Sequence, residues 1–293
     1  MRSRFGDIPA PLRGLRVVTL AVNVPGPAAA ARLREFGASV VKVEPPSGDP
    51  LAHSNPAWYE ALAVGQEVVR LDLKDDADRA RLDEHLVEAD VLLTSSRPAA
   101  LRRLGLGPEK VCARYPSLCV VAITGYPAPH ADAPGHDLTY LAEFGLLSPP
   151  DLPRTLLADL AGAERAVSAT LALLLDRAQG RGAGYAEVAL VEAAAFFAEP
   201  LRYGITKPGA ELGGGLPGYN LYQTREGWIA VAALETHFLE NLLLELGLEE
   251  ATREDLEEAF SHKTAEEWEQ WAQERDLPLA VLRDVPQEKE ETK

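Results

Sequence analysis

The chain has 293 residues, of which 46% are hydrophobic and 25% are charged, as in an ordinary globular protein. Its formal net charge of −16 argues against a nucleic-acid partner, because a phosphate backbone requires clustered cations. No apolar run approaches the roughly 18 residues of a membrane span. The opening MRSRFGDIPAPL lacks the apolar core of a secretory signal. We therefore expect a cytoplasmic protein that does not associate with membranes.

Short β-rich runs alternate with helical segments through the first part of the chain. The predicted strands are LRVVTL (15–20), ASVVKVE (38–44), VVRLDL (68–73), DVLLTS (90–95), LCVVAITG (118–125) and YAEVAL (185–190). The predicted helices include VPGPAAAARLREFG (24–37), DDADRARLDEHLVEA (75–89) and a long helix over 159–178. This alternation predicts an α/β domain over 1–190, with a Rossmann-like, doubly wound parallel sheet covered by helices on both faces.

The remaining sequence has a different composition. Residues 191–220 are predicted to be a linker that ends in the glycine- and proline-rich stretch KPGAELGGGLPGYN (207–220), read as a mobile loop. A smaller α+β domain is predicted over 221–285, with strands at WIAVAAL (228–234) and LPLAVL (277–282) around three helices. The charged tail 286–293 is predicted to be disordered.

Three residues each allow both a catalytic and a structural interpretation. His136 follows Pro134-Gly135, Asp159 lies at the start of the long predicted helix, and Glu235 lies between a strand and a helix. Each has a structural interpretation: His136 as a loop or capping residue, Asp159 as an N-cap, and Glu235 as a first-turn charge. Taken separately, none of them decides a function.

Several cations follow the predicted strands, although basic residues are few. Lys42, Lys74 and Arg97 end or follow three strands, and Arg102 and Arg103 come soon afterwards. Ligands of open parallel sheets bind at the carboxyl ends of the strands, so this set favours an anionic ligand. The turn VPGP precedes a helix and is either an anion cradle or an ordinary βα turn. Cys112 and Cys119 fit no zinc spacing, so we expect buried thiols and no metal site.

A set of motifs in order carries a resemblance to a known family. They are LRGLRVVTLAVNVPGPAAAARLREFGASVVKVEPPSGDP, VRLDLK, DVLLTSSRPAALRRLGLGPE, GHDLTYLAEFGLL, LLADLAG, GRGAGYAEVALVEAAAF and LPGYNLYQTREGWIAVAALETHF. Over about residues 11–285 the chain resembles the family III CoA-transferase (CaiB/BaiF) superfamily. The resemblance implies that the substrate is an acyl-CoA thioester, with no cofactor beyond its CoA moiety.

Two chemistries compete within that superfamily. In the transferases, the aspartate matching Asp159 is a nucleophile that forms an aspartyl-CoA intermediate. In the α-methylacyl-CoA racemases the same aspartate transfers protons, with the histidine of a GHD motif and a supporting glutamate. This sequence has all three, as His136, Asp159 and Glu235, so it is most similar to the racemase branch. We expect inversion of the α-carbon of 2-methyl-branched acyl-CoA thioesters, with transferase activity as the alternative.

The racemase interpretation assigns a role to each residue type. One group removes a proton from one face of the α-carbon and the other returns a proton to the opposite face, through an enolate. His136 and Asp159 would be this pair, and Glu235 would hold the His136 ring. Backbone N–H groups at the start of the helix near Asp159 are candidate donors to the enolate oxygen.

The resemblance also implies a CoA site and an assembly. The positions that match CoA contacts are Leu73, Lys74, Arg97, Arg103 and Tyr140, with Lys42 as a weaker candidate. The family forms an interlocked homodimer, in which His136 and Asp159 of one subunit would meet Glu235 of the other.

Three departures from the family pattern motivate a second alternative, an inactive CoA-binding homologue. The basic segment before the third strand is replaced by ALAVGQEVV, with Gln66 and Glu67. The glycines after Asp159 are reduced to LAGAER, and the chain ends soon after the small domain, where typical members continue.

Overall fold

The computed structural model describes residues 10–250 and 252–283, and the chain divides into two compact units. The first unit runs from Met1 to Ala198 and the second from Glu199 to Lys293. The predicted disordered tail, 286–293, lies outside the described residues. Within the described ranges, no helix combines the length and hydropathy that crossing a bilayer requires.

A six-stranded parallel sheet forms the centre of the first unit. Its strands are β1 (Arg16–Thr19), β2 (Ser39–Glu44), β3 (Glu67–Arg70), β4 (Val91–Thr94), β5 (Cys119–Thr124) and β6 (Tyr185–Ala189). Their order is β3-β2-β1-β4-β5-β6, and every neighbouring pair is parallel. This order reverses between β1 and β4, so the prediction of a doubly wound sheet is confirmed.

Nine helices of the described first unit connect these strands. They are α1 (Pro25–Glu35), α2 (Pro50–Ser54), α3 (Pro56–Ala63), α4 (Asp76–Val87), α5 (Pro98–Arg103), α6 (Pro108–Arg114), α7 (Asp137–Glu143), α8 (Leu157–Ala178) and α9 (Leu190–Phe197). Proline is the first residue of several of them, because its fixed φ suits a helix start and its missing N–H would have no intrahelical partner there. Asp75 caps α4 by accepting hydrogen bonds from the N–H groups of Ala77 and Asp78.

Both faces of the sheet are packed against helices. Successive strand residues point to opposite faces, so Val17 and Leu93 join a core with Leu33 of α1, while Val18 and Leu92 join a second core. Burial of each such side chain contributes about 1.5–3 kcal/mol to stability. The sheet is therefore a rigid platform whose carboxyl edge carries the loops of the site.

The second unit contains a small antiparallel sheet and its own core. Its elements are α10 (Glu199–Arg202), a π-helical turn (Glu211–Gly215), β7 (Tyr219–Gln223), β8 (Trp228–Ala232), α11 (Thr236–Leu246), α12 (Arg253–Phe260), α13 (Ala265–Gln273) and β9 (Leu279–Val281). The strand order is β7-β8-β9, and both pairs are antiparallel. Tyr222, Phe260 and Trp268 pack together in the core of this unit.

The segment 191–220 is more ordered than the predicted linker. Most of its first residues continue α9 within the first unit, whose boundary lies at Ala198 rather than at 190. A Cβ atom on Gly213 would stand 1.8 Å from the carbonyl oxygen of Lys207, and Gly214 has φ +93°. The glycines are therefore required by a tightly folded turn, and β7 begins directly after it at Tyr219.

Candidate active site

A cavity of about 520 Å³ opens at the carboxyl ends of β1, β4 and β5 in the first unit. Asn23, Arg97 and Thr124, which follow or end these strands, line it together with His136 and Asp159. The cavity lies at the point where the strand order reverses, which is where open α/β sheets bind their ligands. The structure thus brings two of the three predicted catalytic residues to one cavity.

His136 is held at the start of α7 through its backbone. It is the N-cap residue, its N–H donates to the Thr139 hydroxyl (3.1 Å), and its carbonyl oxygen accepts from the Thr139 N–H (2.9 Å). The side chain is exposed and lines the cavity. A Cβ atom on Gly135 would stand 2.5 Å from the Tyr140 ring, so glycine is required before the histidine. His136 is therefore both a capping residue and a cavity residue.

Asp159 is not the N-cap that its sequence position suggested. Helix α8 begins at Leu157 with Leu156 as its N-cap, so Asp159 lies in the first turn of the helix. Burial, and to a smaller extent the neighbouring negative charge of Asp137, raise the pKa of the Asp159 carboxyl to about 6. A carboxyl group with a pKa near neutrality can both take up and release a proton under physiological conditions.

Asp137 is a site residue that the sequence analysis did not single out. It is the first residue of α7 and only 5% exposed, and its Oδ1 accepts a hydrogen bond from the Asp159 backbone N–H at 3.0 Å. The only signal in the sequence was its place in the GHD motif. The Asp159 N–H is therefore engaged by Asp137, which leaves the other N–H groups at this helix start as the candidate donors to an enolate oxygen.

Arg97 and Tyr140, two of the positions that match CoA contacts in the resemblance, also line the main cavity. Arg97 is exposed and precedes α5 as its N-cap. Tyr140 is 1% exposed, and its ring packs edge-on against Tyr126 with 5.4 Å between centroids. Burial raises the pKa of the Tyr140 phenol to about 12, so it is a hydrogen-bond donor at neutral pH. Within the described part of the chain, no cluster of three or more metal-ligating side chains occurs.

A second cavity of about 220 Å³ is lined by Leu73 and Lys74, which follow β3. Val22 and Ser96 line both cavities, so the two adjoin along the carboxyl edge of the sheet. Arg103 lies on the exposed surface of α5 and lines neither of these two cavities. The predicted CoA residues are therefore distributed over two connected cavities and one neighbouring surface position.

Lys42 is a correction to the predicted set. Its side chain is 1% exposed, and its Nζ lies 2.5 Å from Asp49 and 3.0 Å from Glu44. Asp49 also accepts a hydrogen bond from the backbone N–H of Asn23 (3.0 Å). An ammonium group enclosed by two carboxylates is not available to a phosphate, so Lys42 stabilises the loops beside the cavity instead.

Glu235, Gln66 and Glu67 are not among the residues that line the two cavities. Glu235 belongs to the second unit, where it is the exposed N-cap residue of α11 and its backbone oxygen accepts from the Phe238 N–H (3.0 Å). It therefore precedes the first turn of the helix rather than lying in it, and its side chain makes no capping hydrogen bond. Gln66 donates to the carbonyl oxygen of Leu62 (2.8 Å), and Glu67 is exposed at the start of β3, which is an edge strand.

Comparison with known proteins identifies the family and leaves two activities within it. The sequence profile of CoA-transferase family III matches residues 12–292. The α-methylacyl-CoA racemase of Mus musculus is 31% identical over 290 residues, covering 88% of this chain and 74% of the mouse protein. The cinnamoyl-CoA:phenyllactate CoA-transferase of Clostridium sporogenes is 36% identical over 139 residues, covering 43% of this chain and 34% of its own.

A solved structure agrees with the fold. The crystal structure of a hypothetical protein from Mycobacterium tuberculosis superposes with a TM-score of 0.82 at 28% identity, covering 94% of this chain and 84% of that one. The motifs in the sequence, the parallel sheet and the family profile agree with one another. The chain belongs to CoA-transferase family III.

Proposed function

We propose that the protein is an acyl-CoA racemase or epimerase that inverts the α-carbon of 2-methyl-branched thioesters. The observation that carries this proposal is the pair of proton-transferring groups, His136 and Asp159, on the wall of one cavity. The raised pKa of Asp159, about 6, supports it, because the group is then about one-tenth protonated at pH 7. Among the relatives, the mouse racemase supports it over nearly the whole chain.

The proposed reaction moves one proton at each face of the α-carbon. Neutral His136 removes the α-proton, the electron pair of the C–H bond moves into the thioester to give an enolate, and protonated Asp159 returns a proton to the opposite face. The enzyme is left with charged His136 and ionised Asp159, which is the state that catalyses the reverse inversion. The Tyr140 phenol, protonated at neutral pH, is a hydrogen-bond donor on the wall of the same cavity.

The proposed CoA site uses the cavities at the carboxyl edge of the sheet. Lys74 and Leu73 line the smaller cavity, where an ammonium group and an apolar wall suit a phosphorylated nucleotide. Arg97 and Tyr140 line the larger cavity, next to the proposed reacting centre. Arg103 would meet a phosphate from the surface of α5. No cofactor is proposed beyond the CoA moiety of the substrate.

We also propose a homodimer, in which Glu235 of one subunit supports His136 of the other. Large apolar side chains are exposed at the end of the first unit, at Phe196 (61%) and Phe197 (45%), and at the start of the second, at Tyr203 (75%) and Ile205 (41%). Exposed apolar side chains this concentrated along a chain are typical of a covered interface. The cytoplasm is the proposed compartment, because both cysteines are free thiols, as in a reducing environment.

The test is exchange of the α-hydrogen of 2-methylacyl-CoA thioesters in deuterated water, followed by mass spectrometry. His136→Ala and Asp159→Asn are each expected to lower the rate by about 10²- to 10⁴-fold, because each removes a proton-transferring group. His85→Ala and Asp151→Asn are matched controls outside the two cavities and should exchange at the parent rate. A protein that binds CoA but exchanges no branched thioester would contradict the proposal.

The alternative is a CoA-transferase, which the clostridial relative supports. In that reaction ionised Asp159, the major form at pH 7, attacks the acyl carbon and expels the CoA thiolate, which gives a mixed anhydride. The thiolate then attacks the aspartyl carbonyl and releases the first acid, so that Asp159 carries CoA as a thioester until a second acid takes it up. Hydroxylamine would trap that intermediate on Asp159, and CoA transfer to a free acid would depend little on His136. An inactive homologue would show CoA binding, no exchange and no trapped aspartate.

A further inference from the structure

One buried carboxylate at the cavity has no part in the proton transfers described above. Asp137 is only 5% exposed, yet no lysine or arginine within the described ranges forms an ion pair with it. Carboxylates this buried normally have a cationic partner. Its Oδ1 accepts a hydrogen bond from the backbone N–H of Asp159 at 3.0 Å.

We propose that Asp137 is a positioning residue that fixes Asp159 relative to His136 and, through its own negative charge, keeps part of Asp159 protonated. The inference deepens the proposed racemase activity and rests on it. It assigns Asp137 no contact with the substrate and makes it act only through its two neighbours.

The positioning part follows from where the hydrogen bond lies. Asp137 follows His136, the N-cap of α7, and its side chain bonds the backbone of Asp159 in the first turn of α8. A single side chain therefore ties together the two backbone segments that carry the proton-transferring groups. Bonds from an N–H in the first turn of a helix to an ionised carboxylate are among the stronger hydrogen bonds in proteins.

The electrostatic part follows from the charges that face Asp159. From α7 these are Asp137, His136 and the neutral phenol of Tyr140, and from the loop after β4 there is Arg97. The other elements that approach the cavity present uncharged groups there: Pro25 from α1, Thr124 from β5 and Leu190 from α9. Asp137 is thus the negative charge that opposes ionisation of Asp159, in addition to burial.

The two parts are separable by substitution. Asp137→Asn keeps a side-chain oxygen that can accept from the Asp159 N–H but removes the charge. Asp137→Ala removes both the acceptor and the charge. Asp132→Asn is the matched control: Asp132 is also a carboxylate that accepts from a backbone N–H, that of Ala99 (2.8 Å), but it does not line the cavity.

The experiment is a titration of Asp159 by ¹³C NMR in the full chain, with its signal assigned by comparison with Asp159→Asn. In Asp137→Asn the pKa of Asp159 should fall by on the order of one unit, because a like charge has been removed while burial remains. In the direction in which Asp159 donates a proton, kcat/KM declines as the pH rises, and the midpoint of that decline should move to lower pH by the same amount. At pH 7 this direction should slow by up to about tenfold.

Asp137→Ala should show the same change in charge and a further loss in kcat, of about tenfold or more, because the tie between the helices is absent. Asp159 titrating identically in Asp137→Asn and in the parent chain would overturn the electrostatic part. Equal kcat in Asp137→Ala and Asp137→Asn would overturn the positioning part. If Asp137→Ala does not fold, the positioning part is tested with Asp137→Asn, which keeps the hydrogen-bond acceptor. Its kcat should stay near the parent value in the direction in which Asp159 accepts a proton. If no thioester is turned over at all, the proposed function fails, whereas the NMR titration still tests Asp137.

Discussion

Two groups of buried or half-buried carboxylates lie at the carboxyl edge of the same sheet, and they differ in whether a lysine or arginine of the described residues is paired with them. In the first, Asp49 and Glu44 enclose Lys42, with all three side chains at most 1% exposed. In the second, Asp137 and Asp159 approach each other, and no lysine or arginine of the described residues forms an ion pair with either. We call them the paired cluster and the unpaired cluster.

The paired cluster stabilises the loops beside the cavity. Lys42 pairs with both carboxylates, and the exposed Arg70 approaches Glu44 at 3.9 Å. Tyr59 donates to Glu44 (2.6 Å), and Asp49 fixes the loop that carries Asn23 to the cavity wall. The unpaired cluster has no such compensation, so burial and mutual repulsion raise the pKa of Asp159 to about 6. Perturbed carboxylates in a cavity are typical of functional sites, whereas paired ones are typical of scaffolds. The two clusters differ in their cation: Lys42 lies between the carboxylates of the first, and no lysine or arginine of the described residues is paired with the second.

The largest expected effect comes from removing the cation of the paired cluster. Lys42→Met should lower the free energy of unfolding of the first unit by about 3–5 kcal/mol, because among the described residues it leaves buried Asp49 without a cation and buried Glu44 with only the exposed Arg70, 3.9 Å away. Urea denaturation with an unchanged m-value measures this loss. The triple variant Lys42→Met/Glu44→Gln/Asp49→Asn should recover much of it, since the charges go together. A single variant as stable as the parent would mean that water reaches these carboxylates.

Removing a charge from the unpaired cluster should raise the stability of the chain, whereas removing one from the paired cluster lowers it. The pKa of Asp159 in the folded chain, about 6, lies above its ordinary value of 3.8. Its contribution to stability is therefore complete below pH 3.8 and is lost as the pH rises through 6. Asp159→Asn avoids this loss and should be more stable than the parent by about 3 kcal/mol at pH 8, with the difference vanishing near pH 4.

Denaturation of both proteins from pH 4 to pH 8 checks this sign. Asp151→Asn is the matched control, because Asp151 is exposed and should change stability little at any pH. A parent chain that is the more stable of the two at pH 8 would show that Asp159 has a compensating partner and would remove the contrast between the clusters.

The fold was predictable because its signals are local. All six parallel strands were found close to their predicted positions, since most are short runs rich in β-branched residues, such as Cys119–Thr124, between turn residues. Strand β7 was missed because YNLYQ has no apolar alternation, and its place is fixed by pairing with β8 and by burial of Tyr222. Pairing between distant segments leaves little trace in a local pattern.

The candidate site was predictable only in part, for the same reason. The motifs named His136 and Asp159, and the structure brings both to one cavity. The role of Asp137 depends on two helix starts meeting, and the enclosure of Lys42 depends on a turn that returns Asp49 to β2. Whether a charged residue is free or paired is a property of the tertiary fold, so the sequence placed Lys42 in the wrong class.

Adding a cation next to the unpaired cluster should make its electrostatics more like those of the paired cluster. Leu156 lines the cavity, is 37% exposed and lies three positions before Asp159 at the start of α8. Leu156→Lys should lower the pKa of Asp159 by up to about one unit, equivalent to about 1.4 kcal/mol, because an opposite charge favours the ionised carboxyl. Titration by ¹³C NMR measures the shift. Leu156→Gln, polar but uncharged, should leave the pKa near 6; an equal shift in both variants would assign it to hydration rather than to charge.

The smallest effect is expected where a pair is exposed. Arg253 and Glu257 of α12 form an ion pair of 2.7 Å, but the side chains are 48% and 51% exposed. Glu257→Gln should lower the stability of the second unit by only about 0.3–0.5 kcal/mol, and 1 M salt should abolish the difference, because solvent already screens these charges. Denaturation at low and high salt measures it. A loss approaching that of Lys42→Met would mean that contact distance governs the energy of these pairs. A loss near zero would leave burial as the variable that separates the surface pair from the paired cluster, since the distance in α12 is as short as those around Lys42.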